Sequence, residues 1–369
     1  MNEDFLDKKL NERKEQNAFR QLRLPDGKTD FCSNDYLGIA TNGLIESAQR
    51  AFQGQGNLRH GSGGSRLLAG NYALVEETER LLATFHDAKT GLIFNSGYDA
   101  NLGVLSSIPQ RGDTILYDYL SHASIRDGIR LSFAHAHSFA HNDLQDLERR
   151  LQTATGHLFV VTESVFSMDG DQAPLPEIIA LCEKHNAHLI IDEAHATGVV
   201  GPQGAGLVQE KNLQHACLAR IHTFGKAVGC HGAVVLGSTR LRDYLVNFSR
   251  AFIYTTALPP SGIQAIRTAY DLFPRMDKER THLQRLITRF RQTPIAYQQV
   301  DSTTPIQVVI VPGNEDIKAL AARLQTEGLD VRPILYPTVP KGSERLRIVF
   351  HSFNTIDDID RLLAAIQKK

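Results

Sequence analysis

The sequence has no excess of charge: 40 Lys and Arg face 41 Asp and Glu, for a formal net charge of −1. With both signs dispersed, nothing marks a surface for nucleic acid or for an anionic membrane. No segment offers the roughly 20 consecutive apolar residues of a spanning helix. The opening MNEDFLDKKLNERKEQ is charged and lacks an apolar signal core. Cysteine is scarce, at 4 in 369 residues. Cys32, Cys182, Cys217 and Cys230 are far apart, with no C-x-x-C spacing, which excludes a disulfide framework and a zinc ribbon. There is no internal repeat and no low-complexity tract. These absences predict a reduced, cytoplasmic protein without nucleic-acid or membrane partners.

What is present is an alternation of helical and strand patterns. Residues 1 to about 20 read as an amphipathic helix with Phe5, Leu6 and Leu10 on one side, followed by turn chemistry in LPDGKTDFC. From YALVEETERLLATFH onward, apolar residues at helical spacing alternate with short, nearly continuous apolar runs: TGLIF, DTILYD, HLFVVTE, AHLIID, ARIHT and GAVVLG. Such runs are strands buried on both faces of a largely parallel sheet, so a three-layer α/β domain is expected. A chain of 369 residues exceeds the size of a single core. The predicted division is an N-terminal helix and segment over 1–36, a large domain over 37–270 and a small α+β domain over 271–369. One long helical stretch is predicted from LPPSG through FPRMDKERTHLQRLITRFRQ.

Ligands of open α/β sheets bind beyond the carboxyl ends of the strands, and there the polar residues gather: NSGYDAN, SHAS, TESVFSMDG, DEAHATG and TFGK. Several common chemistries fail. RHGSGGSRLLAG breaks G-x-G-x-x-G at Arg66 and precedes the first clear strand; no P-loop or G-x-S-x-G elbow occurs. His135, His137 and His141, like His185 and His188, lack the spacing and companions of a zinc site, so no metal is expected. What remains is Asp192 closing an apolar strand, His195 just after it, and Lys226 at the next strand end among small residues. Pyridoxal phosphate needs such a set: a lysine for its aldehyde and a carboxylate to keep its ring nitrogen protonated. Ser96, Gly97 and Tyr98 open a helix and can offer backbone N–H groups to its phosphate. His122 is a candidate to stack on its ring.

At this point the sequence resembles the α-oxoamine synthases, pyridoxal-phosphate enzymes of the aspartate-aminotransferase fold (fold type I). The likeness runs through FCSNDYLGIA, RHGSGGSRLLAG, FNSGYDANLGVL, LSHASIRDGIRLS, TESVFSMDGDQAPL, IIDEAHATGVVG, HTFGKAVGCHGAVV and PTVPKGSERLRIVF. It implies that Lys226 is the Schiff-base lysine and proton-transfer base, that Asp192 partners the pyridine nitrogen, and that His122 stacks. His195 and Ser167 would neighbour the phenolic oxygen, and Gly97, Tyr98 and Thr223 would hold the phosphate. Arg347 would take the substrate carboxylate, Asn34 and Thr338 would contact substrate, and Arg20 would meet the acyl substrate. PTVPKGSERLR and VFSMDGD lean to the branch that condenses L-alanine with pimeloyl-CoA or a pimeloyl-acyl-carrier protein in biotin biosynthesis. Siblings that use glycine or serine share the core residues. DEAHATG departs from the commoner DDAHGTG-like form without removing a needed group. The resemblance also implies a homodimer, with Thr255 or Thr256 of FIYTTALPP lent across the interface. A non-catalytic subunit of the same fold would lack the lysine that is present here.

Overall fold

A computed structural model describes residues 3–22, 24, 27–53 and 60–368, without the side chains of 51–53. Pro25 and Asp26 of the expected turn, and Arg59 of RHGSGGSRLLAG, lie outside the described residues. The chain divides into two compact units: Met1–Tyr36 with Met168–Asp171 and Glu279–Lys369, and Leu37–Ser167 with Gln172–Lys278.

The chain opens with α1 (Asp4–Glu15) and a short strand, β1 (Thr29–Asp30). The expected N-terminal helix is therefore present, but it buries no residue, and Phe5 is 74% exposed. The second unit begins with α2 (Leu44–Gln53) and α3 (Ala73–Phe85). Strands and helices then alternate: β2 (Thr90–Phe94), α4 (Gly97–Ser107), β3 (Thr114–Asp118), α5 (Ala123–Leu131), β4 (His135–Phe139), α6 (Leu144–Thr153), β5 (Leu158–Glu163), α7 (Leu175–Lys184) and β6 (Ala187–Asp192). After the short α8 (Leu207–Glu210) come β7 (Ala219–Thr223), β8 (Ala233–Gly237), α9 (Thr239–Phe248), α10 (Arg250–Ile253) and α11 (Pro260–Leu272). The strands form one seven-stranded sheet in the order β2-β8-β7-β6-β5-β3-β4. All neighbours are parallel except β8, which runs against both β2 and β7.

Period-two alternation explains why the strand sequences read as continuous apolar runs. Ile115, Phe159, Val161 and Ile190 join the core under α4 and α5, together with Val104, Ile125 and Ile221. Leu116, Val160, Leu189 and Ile191 join the opposite core, under α6 and α7, with Leu147, Ile178 and Ile179. The architecture is a three-layer α/β domain with a mostly parallel sheet.

The rest of the first unit follows: α12 (Asp277–Gln292), β9 (Gln298–Gln299), β10 (Ile306–Ile310), α13 (Asn314–Thr326), β11 (Leu329–Asp330), β12 (Arg332–Ile334), β13 (Arg345–Val349) and α14 (Ile356–Gln367). Its sheet has the order β12-β13-β10-β9, all antiparallel, and β11 pairs with β1. The single long helix expected from LPPSG onward is two helices. A 3-10 turn at Phe273–Arg275 separates α11 from α12, because Pro274 has no N–H to continue the ladder and its ring clashes with the preceding turn. Among the described residues no helix is long and apolar enough to cross a membrane.

Arg66, the residue that breaks the glycine-loop pattern, has a structural task. It forms a two-pronged ion pair with Glu79 at 2.7 and 3.2 Å, and Glu79 also accepts the N–H of Ile93 on β2. Both side chains are under one-tenth exposed. Arg66→Ala would strip the buried carboxylate of its two-pronged partner and leave it to Arg242, 3.7 Å away, at a cost of up to about 3–5 kcal/mol in urea unfolding. A loss below about 1 kcal/mol would show the pair to be inconsequential.

A second buried network centres on His86 and His222. His86 meets Tyr270 Oη at 2.9 Å, Gln209 Oε1 at 3.0 Å and the Ala205 carbonyl at 3.1 Å. Its ring centre is 3.9 Å from that of His222, whose Nδ1 lies 2.9 Å from Thr197 Oγ1. Burial, then the Arg220 charge, pulls His86 from 6.5 down to about 3. Below 6.5 the unfolded chain binds a proton that the folded chain refuses. This group's contribution to stability is therefore complete above 6.5 and is lost as pH falls towards 3. The stability difference between the native chain and His86→Phe should shrink by about 1.4 kcal/mol per pH unit below the ordinary histidine value. A difference that stays flat with pH would rule this out.

Candidate active site

The helix α4 starts where β2 ends, capped by Ser96, whose Oγ accepts the Asp99 N–H at 3.0 Å. The first N–H groups of a helix have no intrahelical acceptor, so those of Gly97 and Tyr98 face outward with the positive end of the helix dipole. Gly97 is pressed onto the end of β7. A Cβ there would stand 2.4 Å from Thr223 Cγ2, so a larger residue would displace the helix start. The Tyr98 hydroxyl donates to Asp127 on α5.

Lys226 lies in the loop from β7 to β8 rather than on a strand. Its Nζ donates to Thr223 Oγ1 at 3.3 Å. The loop is closed by Phe224 N–H to Gly232 O at 2.9 Å, Cys230 N–H to Phe224 O at 2.7 Å and Gly229 N–H to Lys226 O at 2.8 Å. Gly229, at φ +67°, sits so close to the 39–40 backbone that a Cβ would meet the Ala40 nitrogen at 2.6 Å. Because β8 returns antiparallel, Ala233 pairs with both Thr223 and Phe94, which brings this loop to the level of the α4 start.

Asp192 closes β6 and is 6% exposed. Its carboxylate accepts the Ala194 N–H at 2.8 Å and Asn101 Nδ2 at 2.7 Å, and both donors are neutral. Asn101 also donates to Ser124 Oγ at 3.0 Å, which lies 2.8 Å from His122 Nδ1. His122 caps α5 through the same ring nitrogen, and its own N–H donates to Glu163 Oε1 at 2.6 Å. Glu163 and Asp192 stand opposite each other in the β5–β6 register. Burial, then the Asp192 charge, drives the Glu163 carboxyl well above its usual range. Burial holds His122 below its ordinary value, opposed by the Asp192 anion and assisted by the Lys226 cation. His195 is buried and Ser167 half-buried, each on a loop that follows its strand, β6 or β5.

The first unit holds the other predicted residues as two pairs. Arg347 on β13 donates to Asn34 Oδ1 at 2.9 Å, and Arg20 donates to Thr338 Oγ1 at 3.3 Å. Tyr36, fully buried beside Arg347, is pushed up to about 12 by burial, against the pull of the guanidinium. His135 and His137 are exposed on β4, and His141 Nδ1 meets Asp118 Oδ1 at 2.9 Å. Among the described residues no three His, Cys, Asp or Glu side chains gather as metal ligands.

The sequence reading passed over Asn101, Ser124 and Glu163. The available signal was a polar residue on a helix whose neighbours Ala100, Val104 and Leu105 are all buried. A buried polar side chain must find a partner.

Residues 26–366 match the family of class I and II aminotransferases. The 8-amino-7-oxononanoate synthase of Marinobacter nauticus is 42% identical over 98% of this chain and 95% of its own length. The protein of that name from Emericella nidulans is 41% identical over 98% of this chain and 94% of its own. Among solved structures, SPT with its PLP internal aldimine superposes with a TM-score of 0.86 at 28% identity, covering 92% of this chain and 86% of that one. The 8-amino-7-oxononanoate synthase of Francisella tularensis gives 0.77 at 29% identity, covering 93% and 98%. This chain belongs to the class I and II aminotransferase family, in the branch of the 8-amino-7-oxononanoate synthases.

Proposed function

We propose that the chain is a pyridoxal-phosphate-dependent acyltransferase of biotin biosynthesis. It joins L-alanine to a pimeloyl thioester, with loss of CO2 and free thiol, to give 8-amino-7-oxononanoate. One observation carries the reading: a buried carboxylate and a lysine amine stand at the ends of adjacent parallel strands, and the donors that hold the carboxylate among the described residues, Ala194 N–H and Asn101 Nδ2, are neutral. Such a charge calls for a bound cation, and a protonated pyridine ring fits it. The helix start at Gly97, backed by Thr223, fits a phosphate. Pyridoxal phosphate supplies an aldehyde that condenses with amines and a protonated ring that takes up the electron pair of a carbanion.

The chain's residues then divide the remaining work. Lys226 would hold the cofactor and, once released, accept the alanine α-proton at Nζ, with Thr223 Oγ1 aiming the amine. Asp192 would keep the ring nitrogen protonated. His122, uncharged because it is buried, would lie against the ring without repelling that proton. The N–H groups of Gly97 and Tyr98 would take the phosphate, and His195 and Ser167 the phenolic oxygen. By the family resemblance Arg347 would take the amino-acid carboxylate in a two-pronged contact, with Asn34 orienting its fork. Thr338 would contact substrate and Arg20 the acyl chain. The acyl donor would be a CoA ester or an acyl-carrier protein. The exposed apolar residues of α1 suit a homodimer, and the balanced charge suits a cytoplasmic enzyme.

The test is a visible spectrum of the purified chain with pyridoxal phosphate, then with L-alanine, glycine or L-serine, then with pimeloyl-CoA, with the product weighed by mass spectrometry. A cofactor band that responds to L-alanine and yields 8-amino-7-oxononanoate is expected. A response to glycine or serine alone would make the chain a sibling synthase, and the absence of a band would remove the cofactor. Lys226→Ala should reduce turnover by about 10³-fold or more. Arg347→Ala should instead raise KM for alanine about 10- to 100-fold. Lys226→Ala with near-native turnover would refute the assignment.

A further inference from the structure

The amide of Asn101 has no part in the roles above, yet it sits at their centre. It lies on α4, four residues after Gly97, and is 2% exposed. One nitrogen serves two acceptors: Asp192 Oδ2 at 2.7 Å and Ser124 Oγ at 3.0 Å. A carboxylate only accepts, so the nitrogen, not the oxygen, must face Asp192. Ser124 passes the connection on to His122 Nδ1 at 2.8 Å.

We infer that Asn101 is a positioning residue, acting through Asp192, that fixes the plane of this carboxylate for a ring N–H⁺ and ties it through Ser124 to the histidine beneath the ring. The inference rests on the pyridoxal phosphate reading. Its physical content is the neutrality of the donor. An Arg or Lys at this place would cancel the Asp192 charge and compete with the ring nitrogen. An apolar residue would leave one carboxylate oxygen without a partner in a buried site. An amide orients the carboxylate and leaves its charge to be matched by the ligand. The helix adds rigidity: four residues of α4, a rise of about 6 Å, separate the glycine proposed for the phosphate from the amide that holds the ring-nitrogen partner.

The experiment compares two ligands on cofactor-free protein: pyridoxal phosphate, and its analogue with C–H in place of the ring nitrogen. Asn101→Leu keeps the number and branching of side-chain heavy atoms and removes the donor. Its affinity for pyridoxal phosphate should fall about tenfold, and that for the analogue by less than about twofold, since the analogue makes no ring N–H contact with Asp192. Equal losses for both ligands, or no loss for either, would overturn the inference, because a merely structural residue does not discriminate between them. Should Asn101→Leu fail to fold, Ser124→Ala keeps the amide and removes its second anchor. A loss of about threefold confined to pyridoxal phosphate is then expected, and an unselective loss refutes the idea. A native chain that binds neither ligand overturns the cofactor reading, and the inference with it.

Discussion

The rest of the site depends on a negative charge kept in a buried place. Taking a carboxylate out of water costs several kcal/mol unless hydrogen bonds or a counter-charge offset it. At Asp192 the fold supplies the hydrogen bonds, from Asn101 and Ala194. Next to it stands Glu163, forced by the strand register into the same region. Burial and the Asp192 charge together push the Glu163 carboxyl well above its usual range. Its Oε1 accepts the backbone N–H of His122. The outcome is a division between neighbours: the Glu163 carboxyl is pushed up and the His122 imidazole down.

That division sets requirements on the backbone. The anion must close β6 while the amide that orients it comes from α4, which starts at the far side of β8 and β7 in the sheet order. The antiparallel return of β8 makes this possible. With Ala233 opposite both Thr223 and Phe94, the lysine loop and the glycine start of α4 reach one level. Gly97 then permits a contact that no side chain would allow. The His86–His222 network lies on the same strands: His222 immediately precedes Thr223, and Thr197 belongs to the loop after Asp192. Burial, with the Arg220 charge beside them, holds both imidazoles below their ordinary value.

Much of this was legible in the sequence. Lys226 was conspicuous because small residues surround it, and Asp192 because it ends an apolar run. The helix start at Ser96–Gly97 followed from strand-then-glycine order. Arg347, Asn34, Arg20 and Thr338 are implied one by one by the family resemblance; that they meet as two pairs is not legible, because no local pattern says that residues 313 or 318 positions apart touch. What escaped were residues whose meaning lies in distant partners. Asn101 reads as one of several polar positions on α4 until Asp192, 91 residues on, is placed beside it. Glu163 reads as the end of a strand until register sets it against Asp192. The break at Pro274 was open to the eye but was overruled by helical periodicity on both sides. The exposed side of α1 shows the converse limit. Amphipathicity predicts that a face will be covered, not that this chain covers it.

The choice of asparagine over a charged residue follows from the same economy of charge. A carboxylate that must hold a proton on a bound ring needs its own charge undiminished, and it needs a fixed direction. Lysine or arginine would supply direction while removing the charge. Water would leave the charge but not the direction. A neutral amide on a rigid helix, held by a serine at its second hydrogen, gives both. Placing that amide on the helix proposed to meet the phosphate makes the spacing between the two anchors a property of one element, insensitive to motion elsewhere in the chain.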